Sequence, residues 1–293
     1  VQSVEQNASE EAKREKLRKK FRQSLERREL PALPLVVSKA LGMLEDPDLN
    51  IRVLCRVLSD DPALTAKILA IARSVFYGQR MLPTTLQSAV QIIGLRDLRN
   101  IIVSGIAQEL FKSSGRVADK LWSHSLAVAL AGRMLSSCLG RRDPEQAFLA
   151  GLLHDAGQMI FLHGDREGFV QIIRDACRNK TQIVAEEQLL YGFDHVDMGV
   201  LLLETWNLDP EIGKALRTHH NPEEVTDPKS LAAVIIMAEY LAFRSGLGFY
   251  VPVEFPAQEI SRTFAFENEE VLAQAIEEVR QAFVVESALL KFV

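Results

Sequence analysis

Apolar residues recur at helical spacing through most of the chain. After Pro62 they fall at Leu64, Ile68, Leu69, Ile71, Ala72 and Val75. Between Thr84 and Ile93 they fall at Leu86, Val90 and Ile93, where Gly94 stops the run, and from Leu95 onward at Leu98, Ile101, Ile102, Ile106 and Leu110. This three-to-four residue period marks helices that bury one stripe. Four Asp-Pro pairs, Asp61-Pro62, Asp143-Pro144, Asp209-Pro210 and Asp227-Pro228, read as helix starts. The Asp side chain can cap free N–H groups, and Pro at the first helical position sacrifices no hydrogen bond. No stretch alternates with period two and ends in hairpin chemistry. Phe249 to Phe255 comes nearest, and Pro252 inside it weakens a strand. The pattern predicts an all-α protein built as a two-part helical bundle.

The parts are separated by composition. Residues 1–30 read as a basic linker whose Leu17, Phe21 and Leu25 recur at i, i+4 and i+8, a helix docking one thin stripe. Residues 31–112 form one helical sub-domain, closed by the small polar break KSSGRV at Lys112 to Val117. Residues 113–293 form the second. Its end turns acidic, with seven Glu against two Arg over residues 254–280, and carries Leu272, Ile276, Val279 and Phe283 at helical spacing. That last helix is expected to pack on the second sub-domain. No long-period repeat of the solenoid type is present.

Composition narrows the class further. The chain has 293 residues, 47% hydrophobic and 25% charged, which excludes collagen-like and disordered proteins. Cys55, Cys138 and Cys177 are widely spaced with no CxxC, which fits a reducing compartment and argues against a cysteine zinc site. The most apolar stretch, Leu121 to Gly132, still contains Ser and His, so no membrane span is expected and a cytoplasmic location is. The net charge of −5 disfavours non-specific attraction to nucleic acid or anionic lipid. Residues 13–22 run against that balance, with seven positive charges to one negative, but their apolar stripe is short and lacks a Trp anchor. The chain begins at Val1 with no signal-peptide apolar region, so an upstream domain is expected.

The candidate chemistry lies in the six histidines, none of which precedes residue 124. His124 sits in LWSHSLAVALAGRML and His154-Asp155 in FLAGLLHDAGQMIFL, both apolar helical contexts. A helical hairpin turning at Gly140 to Asp143 puts His124 about 14 residues back and His154 about 10 forward, roughly 6 Å apart in height at 1.5 Å per residue. An Asp among apolar neighbours is costly unless a positive partner compensates it, and a divalent cation does so. Histidine plus carboxylate suits Zn, Mn or Fe. His195 opens a helix after Asp194, His219 and His220 close another before Asn221-Pro222, and Glu239 is an isolated acid in AAVIIMAEYLAF. Each alone is compatible with a helix-end or core role, His220 through the helix dipole for instance. Together they suggest one cluster. His163, in FLHGDREG, reads as a surface residue at a helix end.

These residues carry a resemblance. His124 followed by GLLHDAG resembles the HD metal-dependent phosphohydrolase superfamily. The segment from LPALPLVVSKALGMLEDPDLN to ARSVFYG, followed by LQSAVQIIGLRDLRN, LWSHSLAVA, HVDMGVLLLETWNL and HHNP, is similar to the HDOD domain over roughly residues 28–245. The resemblance implies an HD-domain-like helical protein of bacterial signal transduction, such as a response-regulator output. It also implies an upstream receiver or sensor domain, or another protein partner, and a nucleotide second messenger as a further candidate. By the same resemblance His124, His154, Asp155 and a later acid at Glu239 would hold a metal, with His195, His219 and His220 completing a second site. One or two ions of Fe, Mn, Zn or Mg are then expected. Two departures stand out: Gln158 occupies the place of the Lys in the HD-x-G-K form of active hydrolases, and Glu239 the place of an Asp. The Gly-Tyr-Pro signature of the cyclic-dinucleotide phosphodiesterases is missing after His219-His220, where the chain reads NPEEV. The expectation is a regulatory module with a metal-type cluster and without efficient catalysis. The alternative is a metal-dependent phosphodiesterase or phosphohydrolase. A third reading, helix-turn-helix DNA binding through Thr84 to Asn100, is disfavoured by the apolar second helix and the acidic chain.

Overall fold

The computed structural model describes residues 15, 19, 21, 23, 33–73, 83–111, 115–141, 143–179, 181–248 and 258–291. Among them there are helices, turns and no strand, so the protein is all-α. The Phe249 to Phe255 stretch, Leu17, Leu25 and Val75 lie outside the described residues. Contacts divide the chain into a smaller unit, residues 33–109 with 284–293, and a larger one, residues 1–32 with 110–283.

The smaller unit contains α1 (Leu35–Leu44), α2 (Ile51–Ser59), α3 (Pro62–Ala72), α4 (Leu86–Ile93) and most of α5 (Leu95–Phe111). Three of these helices start on a side-chain cap. Asn50 accepts from the backbone N–H of Arg52 and Val53, Asp61 accepts from Leu64 N–H, and Thr85 and Ser88 cap each other reciprocally. Gly94, at φ 82°, turns α4 into α5. Helix α5 buries Leu98, Ile101, Ile102 and Ile106, and Arg99 pairs with Glu45 at 3.4 Å.

The larger unit opens with α6 (Arg116–Cys138), which folds back on α7 (Pro144–Leu153) through Gly140 at φ 63°. It continues through α8 (Ala156–Gly164), α9 (Arg166–Asn179), α10 (Ile183–Tyr191), α11 (His195–Thr205), α12 (Pro210–Thr218) and a 3₁₀ turn at Pro222–Glu224. Helix α13 (Leu231–Ala242) runs into a π-type turn at Phe243–Leu247, and α14 (Gln258–Thr263) and most of α15 (Glu269–Lys291) follow. Asp143 and Asp209 cap α7 and α12 as the Asp-Pro rule expects. Asp227-Pro228 departs from it. Asp227 accepts from Lys229 N–H in a tight turn, and the cap of α13 passes to Ser230, which accepts from Ala233 N–H. Helix α15 buries Leu272, Ile276 and Val279 and is latched at the π-type turn, where Arg280 Nε donates to the Ser245 carbonyl at 3.1 Å. Phe21 is buried edge-on against Phe161 and Tyr191, ring centroids 5.3 and 5.2 Å away, so the early stripe does dock at this position.

Candidate metal centre

Glycines on either side of the His-Asp pair let α6 and α11 close on it. A Cβ at Gly151 would lie 2.8 Å from the Ala129 backbone of α6, and one at Gly157 only 1.9 Å from the His195 carbonyl of α11. Helix α7 therefore lies directly on α6, and α8 on α11. The chain breaks helix geometry between α7 and α8, at His154 and Asp155, so that His154 ends one helix and Asp155 precedes the next. Both side chains then face the interior, 0% and 1% exposed.

Four elements deliver the remaining residues. His124 comes from the middle of α6, 5.1 Å from the His154 ring, centroid to centroid. His195 begins α11, where Asp194 caps the helix by accepting from Val196 and Asp197 N–H. His219 and His220 follow α12, and Glu239 projects from α13. All seven sequence candidates converge, six of them buried and His220 partly exposed. His163 lies exposed in the last turn of α8 and takes no part.

Hydrogen bonds fix the ring orientations. His154 Nδ1 lies 2.7 Å from the Gly151 carbonyl and His219 Nδ1 2.6 Å from the Leu216 carbonyl. A carbonyl only accepts, so both Nδ1 atoms carry a proton and, in the neutral rings, Nε2 offers its lone pair inward. His195 Nδ1 is 2.7 Å from Glu187 Oε2, which also accepts from the His195 backbone N–H at 2.9 Å. Such outer hydrogen bonds are what orient metal-binding histidines.

The inward atoms meet at Asp155. Its Oδ2 lies 3.3 Å from His154 Nε2 and 3.7 Å from His124 Nε2. Its Oδ1 lies 3.2 Å from His195 Nε2 and 3.9 Å from His219 Nε2. His220 Nε2 sits 3.0 Å from His195 Nε2, and Glu239 Oε1 lies 3.8 Å from His154 Nε2 and 4.0 Å from His124 Nε2. The donors form two groups, His124, His154 and Asp155 in one and Asp155, His195, His219 and His220 in the other, each with ligand atoms within 4.8 Å of one another. Asp155 belongs to both, one oxygen to each. His154 Nε2, His219 Nε2 and Asp155 Oδ1 are buried without a hydrogen-bond partner. Lone pairs facing a carboxylate repel unless a proton or cation lies between them, so this donor set fits one or two divalent ions.

The ionisation pattern without an ion points the same way. Burial, reinforced by His154, holds His124 down at about 4, and burial with His195 holds His220 at about 3. Burial pushes Glu239 up to about 7. Burial opposes the charge on His195, yet Glu187 and Asp155 lift it well above the ordinary histidine value. Asp155 stays well below the usual carboxylate range despite burial, held there by His154 and His195. The protonated form of His195 is thus favoured, and a cation must displace that proton. Cation affinity is therefore expected to fall as pH drops below the raised His195 value, by about tenfold per pH unit for one displaced proton. Calorimetry in two buffers of different ionisation heat checks this, with proton release expected on cation binding to the group that holds His195; no buffer dependence would contradict it.

Glu187 was not among the sequence candidates. Ile183, Glu187 and Tyr191 recur at i, i+4 and i+8 with an acid at the centre, but only the structure shows that stripe to be buried. Glu187→Gln keeps the size but weakens the hold on His195 Nδ1–H, and is expected to weaken cation binding in the second group by about 10- to 100-fold. A competition titration measures it; an unchanged affinity would remove Glu187 from the centre.

Among solved structures, a Geobacter sulfurreducens HDOD domain protein of unknown function is 26% identical, with a TM-score of 0.70, covering 93% of this chain and 97% of its own. A Shewanella amazonensis chain provisionally described as a phosphohydrolase is 25% identical, with a TM-score of 0.66 and coverage of 88% and 92%. An uncharacterised Treponema pallidum protein is 22% identical over 88% of this chain and 50% of its own length. Ribonuclease Y of Mycoplasma mycoides is 26% identical over 58% of this chain and 35% of its own. The chain thus spans half or less of these two curated relatives. The HDOD domain matches residues 30–222, and the chain belongs to the HDOD domain family.

Proposed function

We propose that the chain is a bacterial signal-transduction module of the cytoplasm that binds one or two divalent cations, Zn, Mn, Fe or Mg, for regulation or structure, without efficient phosphoester hydrolysis. Its input would come from an upstream receiver or sensor domain or another protein partner, with a nucleotide second messenger as a further candidate signal. Among the described residues no helix is long and apolar enough to cross a membrane. The acidic chain and the buried apolar face of α5 support a role without nucleic-acid binding.

The observation that carries the non-catalytic reading is Gln158. It is neutral and fully buried, three residues beyond Asp155 in the first turn of α8. Its place is the one where a lysine would neutralise phosphate. Among the described residues, the ion pairs of Asp155 and Glu239 involve histidines alone, with no Lys or Arg. Phosphoryl transfer needs cationic groups on the charge that develops at the transferring phosphoryl, and losing one such donor costs on the order of a hundredfold or more in rate.

A second reading, metal-dependent phosphodiesterase, draws on the shared carboxylate of Asp155 and on the similarity to the Shewanella chain. A pair of divalent cations there would supply Lewis acidity toward a phosphoryl oxygen. This chain's own residues would then set geometry: Asp155 joins the two donor groups, Glu187 orients His195, and Gly151 and Leu216 orient His154 and His219. Turnover of bis-p-nitrophenyl phosphate by cation-loaded protein separates the readings. The proposal expects the rate of His154→Ala to equal that of the unaltered chain. Turnover that disappears in a folded His154→Ala variant would overturn it in favour of the second reading.

A further inference from the structure

Six of the seven cluster residues are buried, and His220 is partly exposed. On its outer side lies a groove of about 460 Å³, bounded by α10, the start of α11, the end of α12 and the 3₁₀ turn. Asp194, Asp197, Arg217, His220, Asn221 and Glu224 supply its polar wall. His220 is therefore common to both spaces, since its Nε2 stands 3.0 Å from His195 Nε2 inside the cluster.

The groove is net negative. Three carboxylates face one guanidinium, and Arg217 is also drawn toward Glu204, 3.9 Å away. Asp194 is held in place by accepting from Val196 and Asp197 N–H and from Gln188 Nε2. A concave wall of net negative charge concentrates cations and raises their arrival rate. The same field opposes a phosphoester anion and favours a hydrated divalent cation.

We infer that this groove is the loading passage of the buried centre, in which Asp194, Asp197 and Glu224 gather a divalent cation from solvent and His220 passes it inward. The inference rests on the reading that the cluster binds cations, and adds the route and the residues that set its rate. None of the three carboxylates belongs to either donor group, so their effect falls on kinetics and leaves the number of bound ions alone.

The test is the rate of Zn²⁺ uptake by the full chain after chelator treatment, followed by stopped flow with a competing chromophoric indicator. Asp197→Asn and Glu224→Gln are each expected to slow uptake about threefold, and Arg217→Gln to quicken it by a similar factor, a modest share of the range electrostatic steering covers. All three differences should fade in concentrated salt, while the ions bound at equilibrium stay as in the unaltered chain. Arg217 and Glu224 are exposed, so their variants keep the test sound if Asp197→Asn disturbs the start of α11. Equal rates in all variants, or removal of acid and base shifting the rate in the same direction, would overturn the passage while leaving cation binding intact. No Zn²⁺ bound at equilibrium would overturn both.

Discussion

Asp155→Ala is expected to abolish cation binding at both donor groups, weakening each by at least about a hundredfold, because even partners outside the coordination sphere commonly cost 10- to 100-fold. The reason is its position. One carboxylate oxygen faces His124 and His154 and the other faces His195 and His219, so no other residue belongs to both groups. His124→Ala should empty the first group only, and His220→Ala should weaken the second only. Ion counts on dialysed protein, with circular dichroism to verify the fold, distinguish the three variants. If Asp155→Ala retained the ions of the unaltered chain, the shared-carboxylate arrangement would be wrong.

The second large effect comes from a residue with no functional group. A Cβ at Gly157 would fall 1.9 Å from the His195 carbonyl oxygen and 2.9 Å from Gly199 N, backbone atoms that cannot swing aside. Gly157→Ala must therefore push α8 from α11. Overpacking of this kind costs about 1–3 kcal/mol or more, which for the larger unit corresponds to a fall in Tm of roughly 2–12 °C. The same displacement draws His195 away from Asp155, so cation affinity in the second group should drop with stability. Differential scanning calorimetry and a cation titration on the one variant check both. A Gly157→Ala chain as stable and as tight as the original would show that the approach of these helices is not required.

Much of this centre could be read from residue order. A histidine inside LWSHSLAVALAGRML and an Asp inside GLLHDAG are polar groups in stripes that otherwise bury, and such exceptions mark sites because a core tolerates them only when they are paired. The hairpin of α6 and α7 followed from Gly140 and the Asp143 cap, and it brings the His124 and His154 rings to 5.1 Å. Other features are not local. The break at His154 and Asp155 has no proline or positive φ to announce it, and depends on the close approach of α6 and α11. Glu187 lies in a short helix whose apolar face is legible only once Tyr191 is known to be buried. Asp227-Pro228 matched a helix-start pattern, but Ser230 competed successfully for the cap. The division of Asp155 between two donor groups depends on the distances alone.

Elemental analysis of the purified full chain, equilibrated with Zn, Mn, Fe and Mg and then dialysed, tests the central claim most directly. The account predicts one or two divalent ions per chain, lost on Asp155→Ala. Ion content equal to that of Asp155→Ala, in a chain that is otherwise folded, would contradict it.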